Sequence, residues 1–211
     1  VNVWDNGFEG NYWSDYTGVD LENDGIGDTP YVIDENNQDN YPFMNSWGPV
    51  HNINTTLNYW AIQEAIDANE TLDGHTILVD EGIYHEHIIL NKTVSLIGEN
   101  RSTTIIDGNG TGTMVSIIVD NVSISELTIQ NGDCGIFCNS SDNIIKSNIV
   151  SSNLDAAILY SNRTTIIGNI IKDNIRGLVL AYSHNCAVFH NTFINNTIQA
   201  YSYESVITWD D

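Results

Sequence analysis

The chain has 211 residues, 41% of them hydrophobic, and a formal net charge of −22. Its first 91 residues carry 17 Asp and Glu, whereas Lys and Arg occur only from Lys92 onwards. This imbalance argues against nucleic acid and anionic membranes as partners and favours a solvated surface or divalent cations. The sequence has no apolar run of about 18 residues that would predict a membrane span. Its length and apolar content suit one large domain, or a domain with a smaller appendage.

The first zone, residues 1–49, is acidic, aromatic and rich in Gly and Asn. Its stretch "DLENDGIGD" spaces carboxylates around a Gly turn, as Ca²⁺ loops do. We expect a structural Ca²⁺ site, completed by Asp15, Asp34 or Asp39. The predicted ligands are the side chains of Asp20, Glu22, Asp24 and Asp28 and the carbonyl of Ile26. Tyr31 replaces the bidentate Glu of an EF-hand, so the stretch is nearer the short calcium loops of extracellular modules; a solvated acidic turn is the alternative.

The same zone concentrates aromatic side chains, which predict an interface. We expect them to cover an open edge of β-structure, because unpaired strand edges invite uncontrolled association. Stacking on sugar rings is the alternative. The predicted interface residues, including one near the other end of the chain, are Trp4, Phe8, Tyr12, Trp13, Tyr16 and Trp209.

A short helix and then many short strands follow. In "NYWAIQEAIDANETLDG" the residues Tyr59, Ile62, Ala65 and Ile66 have the spacing of an amphipathic helix at about 59–69, ending by Gly74. We therefore assign residues 50–75 to a linker and a capping helix. Residues 76–211 are brief β-branched runs separated by Asn, Asp, Gly and Ser, which predicts strands.

Residues 76–211 contain a repeat of 21 to 22 residues, kept by two Asn series and the apolar columns beside them. The Asn series are Asn131, Asn153, Asn174, Asn196 and Asn148, Asn169, Asn191; the apolar columns are Ile136, Ile158, Val179, Tyr201, then Ile145, Ile166, Val188, then Val150, Ile171, Phe193. A repeat of this length without helical periodicity predicts one coil of a parallel β-solenoid, right-handed by the crossover rule. Coils stack at about 4.8 Å, so Asn ladders and aliphatic columns would run along the stack.

From residue 58 onwards, "AIQEAIDA" and "DGHTILVDEGIYHEHIILNKTVSLIGE" resemble the right-handed parallel β-helix proteins of the pectate-lyase-like superfamily. They are similar in particular to its non-catalytic repeat proteins of archaeal surfaces, and to the repeat domain of the periplasmic protein that helps to mature nitrous-oxide reductase. The resemblance implies an all-β parallel β-helix (76–211) whose N-terminal end is covered by the short helix. In those proteins, phrases such as "WDNGFEGNYWSDYTGVD" follow the last coil, whereas here they precede the first.

The first residues of the chain match the sequence of a stretch near its other end. At an offset of 205 residues, Val1 matches Val206 and Trp4 matches Trp209. The register of the repeat predicts a strand from Val206 to Trp209. We expect one unit of a head-to-tail assembly, a surface filament or stalk, in which residues 1–49 close the C-terminal coils of a neighbouring copy. A heterologous contact that does not close on itself produces a filament. The neighbour is a separate subunit or the next period of a longer chain.

The sequence predicts no catalytic residues and no enzyme. A β-helix lyase needs carboxylates and a base in one groove, whereas Asp133 and Asp155 are expected to share a column without a basic neighbour. Asp142 and Arg163, one coil apart, predict an exposed salt bridge of little worth.

Two further motifs leave alternatives open. His85 and His87 in "YHEHI" would share one face of a strand, which permits a metal, with a surface pair as the alternative. Cys134, Cys138 and Cys186 are expected to be buried thiols, with a Cys134–Cys138 bridge as the alternative.

Asn-X-Ser/Thr sequons favour an exported glycoprotein of the cell surface, with turn-forming asparagines as the alternative. They begin at Asn54, Asn69, Asn91, Asn100, Asn109, Asn121, Asn139, Asn162 and Asn195. The sequence therefore predicts a structural extracellular protein stabilised by Ca²⁺, with copies of itself and glycans as partners. A cell-surface polysaccharide-binding β-helix module is the alternative function, and a polysaccharide lyase is a third.

Overall fold

The computed structural model describes residues 3–21, 25–44 and 47–210, and only the backbone of Asp210. In this part of the chain, one α-helix and 23 strands are found. Three sheets form the sides of a solenoid, and a small antiparallel pair lies in the N-terminal segment. This pair is β1 (Tyr31–Asp34) and β2 (Asn37–Asp39).

Sheet 1, as described, has nine strands, and the last seven are parallel to one another. They are β3 (Val50–Asn52), β4 (Leu57–Tyr59), β5 (Thr76–Val79), β8 (Ser95–Gly98), β11 (Ser123–Ser125), β14 (Ile144–Lys146), β17 (Thr165–Ile167), β20 (His184–Phe189) and β23 (Val206–Asp210). The first two form an antiparallel hairpin that extends the sheet beyond β5.

Sheets 2 and 3 are parallel and have six strands each within the described residues. Sheet 2 comprises β6 (Gly82–Tyr84), β9 (Thr104–Asp107), β12 (Thr128–Gln130), β15 (Ile149–Ser151), β18 (Ile170–Lys172) and β21 (Thr192–Ile194). Sheet 3 comprises β7 (Ile88–Leu90), β10 (Thr113–Ile117), β13 (Cys134–Cys138), β16 (Asp155–Leu159), β19 (Arg176–Ala181) and β22 (Ile198–Tyr203). Each coil passes through sheets 1, 2 and 3 in turn, which confirms the predicted parallel β-helix.

Aliphatic columns fill the interior of the solenoid. Ile124, Ile145, Ile166 and Val188 are level with one another on successive coils and are buried. A second column runs through sheet 2 from Ile129. One coil exposes such a column at both ends, so the apolar surface is removed from water only by stacking.

Two members of the predicted columns lie elsewhere. Gly132, rather than Asn131, is level with Asn153, and its N–H donates to the Asn153 Oδ1 (2.9 Å). The Ile158 column continues to Phe137 and faces outwards, so Ile136 was assigned wrongly to it. A shift of one residue in a strand moves the side chain to the opposite face.

The helix α1 spans Ile62–Asp67 and is shorter than the predicted 59–69. Tyr59 belongs instead to β4, because the β3–β4 hairpin continues the backbone pairing of sheet 1 up to that residue. Ile62, Ala65 and Ile66 are buried as the spacing predicts, and they pack at the N-terminal end of the stack.

Candidate functional site

The N-terminal segment, residues 3–44, is organised around Asp39. This carboxylate is 0% exposed. It accepts hydrogen bonds from Trp13 Nε1 (2.9 Å) and from the backbone N–H groups of Asn11 and Tyr41. Buried carboxylates need such donors because their desolvation is costly. Asp39 therefore fixes the path of the segment, and its oxygens face these donors.

Half of the predicted interface aromatics pack inside this segment. Trp13 stacks on Tyr31 with a centroid distance of 4.3 Å, and Trp4 lies beside Trp13 at 6.0 Å. The predicted interface residues used in this way are Trp4, Trp13 and Tyr16. Phe8 and Tyr12 remain exposed, at 79% and 45%. The segment thus has its own small aromatic core and still presents rings to the outside.

The predicted calcium loop is described at its two ends. The Asp20 carboxylate accepts the Gly25 N–H (2.8 Å), and the Asp28 carboxylate accepts the Leu21 N–H (2.7 Å). Gly25 has φ +86°, which a glycine adopts without strain. Ile26 bridges to Phe43. Two predicted ligands, Glu22 and Asp24, lie outside the described residues.

Two further carboxylates that were predicted as possible Ca²⁺ ligands form hydrogen bonds to other groups. Asp15 accepts the Tyr31 hydroxyl (3.0 Å), which raises the pKa of that tyrosine. Asp34 accepts the Asn36 N–H (2.8 Å) and the Asn37 amide, and these bonds lower its pKa. Asp34 therefore supports a turn, and Asp15 links two distant parts of the segment.

The N-terminal end of the solenoid is closed by α1, which hydrogen bonds hold against the first coil. The Glu86 carboxylate accepts the N–H groups of Ile62 and Gln63 (both 2.9 Å). The Gln63 amide accepts from the Ile89 N–H (2.7 Å) and donates to its carbonyl (3.3 Å), so it pairs with the edge of β7. Lys92 Nζ donates to two carbonyls just after the helix. The sequence reading considered only the histidines of "YHEHI" and missed this capping role of Glu86.

The C-terminal end is different, because β21, β22 and β23 are the last strands of their sheets in the described chain. Every side chain of β22 is exposed. Trp209 is 49% exposed and is level with Val188, which confirms the strand predicted at 206–209. A bulge at Asn185, which has φ 58°, places His184 opposite Val206. In the opening phrase, Val3 and Trp4 lie outside any strand.

The two histidines of "YHEHI" lie between β6 and β7 and bind separate carbonyls. His85 Nδ1 lies 3.2 Å from the Asp107 carbonyl oxygen, and His87 Nδ1 lies 3.0 Å from that of Thr113. Among the described residues, no three His, Cys, Asp or Glu side chains come together so that they could hold a metal ion.

The structure contains an ion pair on the outer face of sheet 3 that the sequence analysis did not predict. Arg176 is level with Asp155 and donates from Nη2 to its carboxylate (2.7 Å). Asp155 is level with Cys134, so the predicted Asp133–Asp155 column without a basic neighbour is wrong. Asp133 instead accepts the Gly112 N–H (2.8 Å). A slip of one residue separates the two acids.

The predicted salt bridge between Asp142 and Arg163 and the predicted buried thiols are both present. Arg163 binds both oxygens of Asp142 (2.7 and 2.6 Å) on an exposed corner, which lowers the pKa of Asp142. Cys134, Cys138 and Cys186 are free and buried. Burial, followed by the charge of Asp155, raises the pKa of the Cys134 thiol to about 12. The three thiols are therefore buried and unbridged, which agrees with the first of the two expectations.

The sequon asparagines are separated from the ladder asparagines. Eight of the nine are exposed, and Asn162 is half-buried. The ladders are formed by Asn148, Asn169 and Asn191 and by Asn153, Asn174 and Asn196.

The coil order, the parallel sheets and the stacked columns define a right-handed parallel β-helix repeat protein. Solved structures with this architecture include the pectin methylesterase from Yersinia enterocolitica, at 17% identity and a TM-score of 0.51 over 63% of this chain and 55% of that one. The pectin methylesterase from carrot has 17% identity and a TM-score of 0.50 over 72% and 60%. At this identity the likeness establishes the fold alone.

Residues 93–211 match the family described as periplasmic copper-binding protein (NosD). This is more than half of the chain, and the protein belongs to that family. Copper binding is part of the family's description, and the described residues contain no group of three or more His, Cys, Asp or Glu that could hold a metal ion.

A curated relative is the cell surface glycoprotein of Methanothermus fervidus, 35% identical over 108 residues. The match covers 48% of this chain and 18% of the relative, so the chain spans less than a fifth of that protein's length. No helix in the described residues has the length and apolarity needed to cross a membrane.

Proposed function

We propose that this chain is a structural unit of an extracellular β-helix protein at the cell surface. In this proposal residues 1–49 of one unit cover the C-terminal coils of the unit before it, and Ca²⁺ stabilises the joint. The cell surface glycoprotein of an archaeon supports the location. The charge of −22, with Lys and Arg confined to residues after 91, suits an exposed surface with divalent cations.

The difference between the two ends of the solenoid carries the assembly part of the proposal. At the N-terminal end, α1 and Gln63 satisfy the edge of β7. At the other end, β22 exposes all its side chains, and Tyr201 and Trp209 are about half exposed. Unpaired strand edges associate unless they are covered. The neighbour that covers this end is another polypeptide or a further length of the same one.

The side-chain ladders indicate what the covering unit must supply. In each ladder a backbone N–H donates to a side-chain oxygen one coil later: Asn169 to Asn191 (2.9 Å), Asn174 to Asn196 (3.1 Å) and Ser183 to Ser205 (3.0 Å). The N–H groups of Asn191, Asn196 and Ser205 are the next donors in these series. A covering segment therefore needs three acceptors at the corners of the coil and apolar groups between them. Residues 3–44 combine carboxylates and amides with exposed Phe8 and Tyr12.

Calcium fits this role because the acidic loop 20–28 lies in the same covering segment. Its carboxylates follow the spacing of oxygen-ligand loops, and Asp20 and Asp28 fold back on the loop backbone. The predicted set remains Asp20, Glu22, Asp24, Asp28 and the carbonyl of Ile26. A bound cation would offset the mutual repulsion of these acids and fix the shape of the segment.

Sedimentation velocity and negative-stain images over a range of protein concentrations test the assembly. We expect rods that lengthen in steps of one unit and dissociate on dilution. Trp209→Asp should weaken association, because it places a charge at the open end. Tyr160→Asp is the matched control, since Tyr160 is an exposed aromatic on the side of the solenoid. Monomers alone at every concentration, with no difference between the two variants, would contradict assembly from separate chains.

A polysaccharide-binding module is the second candidate, and exposed tyrosines at or just after the C-terminal ends of sheet 3 strands favour it. Tyr182 and Tyr203 meet at 5.5 Å, and Tyr160 lies 6.0 Å from Phe137. Aromatic faces of this kind stack on sugar rings. Retention on a polysaccharide column that Tyr182→Ala abolishes would support this function over a purely structural one. Release of unsaturated sugars would indicate the third candidate, a lyase.

A further inference from the structure

The corner at which the chain passes from sheet 3 to sheet 1 carries a sequon at five successive levels. The first level is the loop between α1 and β5, and the next four are the turns before β8, β11, β14 and β17. The asparagines at this corner, which we call the sequon corner, are Asn69, Asn91, Asn121, Asn139 and Asn162. The other four sequons are distributed over the β3–β4 hairpin and the two remaining corners.

Hydrogen bonds show that these five turns form one continuous edge. Lys92 Nζ donates to the carbonyls of Ala68 and Thr71, which joins the first two levels. The Thr93 hydroxyl donates to the carbonyl of Asp120 (2.9 Å), the residue before Asn121. Below it, the Asn121 N–H donates to the Ser141 carbonyl and the Asp142 N–H to the Asn162 carbonyl. Successive levels of a parallel solenoid are about 4.8 Å apart, so the sites form a row.

The amide nitrogens divide the asparagines into two groups. In the ladders, each Nδ2 donates to the carbonyl of a neighbouring coil, as Asn169 does to Ile145 (2.8 Å) and Asn174 does to Val150 (3.1 Å). At the sequon corner, Asn91 Nδ2 has one long contact, 3.4 Å to Asp67. Across the described residues, no acceptor is found for the Nδ2 atoms of Asn69, Asn121, Asn139 and Asn162. None of the ladder asparagines begins a sequon.

We infer that the sequon corner is an N-glycosylated edge of the solenoid. The glycosyl donor is an oligosaccharide carried on a lipid pyrophosphate. The Asn Nδ2 forms a bond to the anomeric carbon of the sugar and loses one proton. The bond from that carbon to the pyrophosphate oxygen breaks, and the lipid pyrophosphate leaves with the electron pair. A substituent on these nitrogens replaces no hydrogen bond of the ladders and projects from the side of the stack.

The sequon hydroxyls indicate when the transfer takes place. Thr71 is 1% exposed and donates to the Ala65 carbonyl (2.6 Å), and Thr164 is 0% exposed and lies against Ser161. An enzyme that reads the hydroxyl of a sequon cannot reach these two groups in the folded chain. Modification at Asn69 and Asn162 therefore precedes the closing of their coils.

A row of glycans would determine which surfaces of the solenoid stay available. Bulky polar chains at every level of one corner hinder side-by-side packing there, and they leave the C-terminal end of the stack free for contact. The inference rests only on the surface location in the proposed function and is independent of head-to-tail assembly.

Secretion of the chain from a eukaryotic cell, which carries N-glycosylation machinery, tests this inference. Enzymatic removal of the glycans in ¹⁸O-water converts each modified Asn to a labelled Asp, and peptide mass spectrometry then locates the label. We expect label at the asparagines of the sequon corner, and monodisperse, β-rich secreted protein. Secreted, folded protein without label at this corner would overturn the inference.

A variant with all five corner asparagines changed to Gln provides the control. Made in bacteria without glycans, it should unfold within about 0.5 kcal/mol of the parent for each of the changes at Asn69, Asn91 and Asn139. A further loss is expected at Asn162, whose Oδ1 accepts the His184 N–H (3.0 Å), and at Asn121, whose φ is 62°. If the parent is labelled but retained in the cell while the Gln variant is secreted, glycans at this corner prevent folding and the inference is wrong. Labelled protein that stays monomeric would contradict the assembly and support glycosylation of the sequon corner. Folded protein that assembles without label at this corner would support the assembly and contradict the glycosylation.

Discussion

At the scale of single residues, the buried asparagines carry the polar structure of this protein. Asn169 is 1% exposed, and its amide nitrogen donates to the Ile145 carbonyl and to Asn191 Oδ1. Its own Oδ1 accepts the backbone N–H of Asn148 (3.0 Å). Turns between short strands leave buried N–H and C=O groups that no sheet can satisfy. An asparagine supplies one acceptor and two donors and satisfies them from within the stack.

Replacing one ladder rung should therefore be costly. We expect Asn169→Ala to lower the free energy of unfolding by about 2–4 kcal/mol, because buried donors and acceptors lose their partner. Asn139→Ala, at an exposed turn, is the matched control and should change it by less than about 0.5 kcal/mol. Urea titrations followed by circular dichroism measure both. Equal effects of the two changes would show that the ladder contributes nothing beyond an ordinary turn.

His51 makes the N-terminal end of the solenoid sensitive to pH. Its Nε2 lies 2.9 Å from Asp80 Oδ1, and its Nδ1 lies 2.7 Å from Asn58 Oδ1. Burial disfavours the imidazolium, but the hydrogen bonds to Asp80 and Asn58 and the charge of Glu99 outweigh it and raise the pKa of His51. The bonds tie the β3–β4 hairpin to the end of β5.

The sign of the pH dependence follows from the raised pKa of His51. The stabilisation is fully present below the unfolded-state pKa, about 6.5, and is lost as pH rises through the folded-state value. We expect His51→Gln to lower the free energy of unfolding at pH 5.5 by up to about 1 kcal/mol, since the pair is partly exposed. The difference from the parent should shrink towards pH 8.5. Denaturant titrations at both pH values measure it, and a difference that grows with pH would contradict the assignment.

At the scale of elements, the six-residue helix α1 depends on the solenoid that it covers. Short helices are marginal by themselves, and Ala61 at the N-cap has no side-chain hydrogen bond. Glu86 takes over the capping role from a different element, as a charge-assisted acceptor for two N–H groups. The helix and the first coil are therefore coupled.

Removing this cap should destabilise the closed end. We expect Glu86→Ala to lower the free energy of unfolding by about 1.5–3 kcal/mol, because two charge-assisted bonds to the helix are lost. Glu86→Gln keeps an acceptor and should cost less. Glu70→Gln removes an exposed charge near the same end and serves as the control. Denaturant titration measures the loss, and hydrogen exchange of the Ile62 and Gln63 amides shows where it acts. Unchanged protection in Glu86→Ala would rule out the cap.

The acidic loop 20–28 is the second element with a testable role. Binding to the folded state stabilises it by about 2.7 kcal/mol when free calcium is a hundredfold above the dissociation constant. We expect CaCl₂ to raise the melting temperature of chelator-treated protein, and Asp28→Asn to weaken this effect. Asp73→Asn, outside the loop, is the control, and MgCl₂ tests ion preference. An unchanged melting temperature with calcium would remove the calcium proposal.

At the scale of the whole molecule, the sequence match between the stretches around Trp4 and Trp209 predicts a repeat of 205 residues. Trp209 lies on the open strand β23, and Trp4 packs against Trp13 in the covering segment. If these two positions are equivalent in adjacent units, residue 6 of one unit follows residue 210 of the unit before it. The segment after Trp209 would then fold over the exposed strands β21 and β22.

A tandem protein tests this geometry directly. Two copies are joined so that Asn6 of the second follows Asp210 of the first. We expect a single rod in which the first copy melts higher than the isolated chain, by about 2–4 °C per kcal/mol gained at the joint. Scanning calorimetry measures the melting temperature, and small-angle scattering shows whether the two copies form a single rod. Two copies that melt at the temperature of the isolated chain and tumble independently would contradict the shared joint.

The sequence by itself determined the architecture, because one coil cannot bury its apolar face and identical neighbours must stack. Ile145, Ile166 and Asn169 recur at the coil length, so periodicity alone predicts interior columns and ladders. The same periodicity could not fix positions to within one residue. It placed Asn131 in a ladder where Gly132 lies, and it placed Asp133 in the column of Asp155, where Cys134 lies.

Only the tertiary structure decided which turns lie on the same corner and which ends are covered. Glu86 reaches the helix from 23 and 24 positions away in the chain, and sequence spacing carries no signal for such a contact. The sequons have the same composition whether their Nδ2 atoms are bound or free. Their alignment on one corner depends on the lengths of every strand and turn between them. Local periodicity is encoded residue by residue, whereas these long-range placements follow from the summed path of the chain.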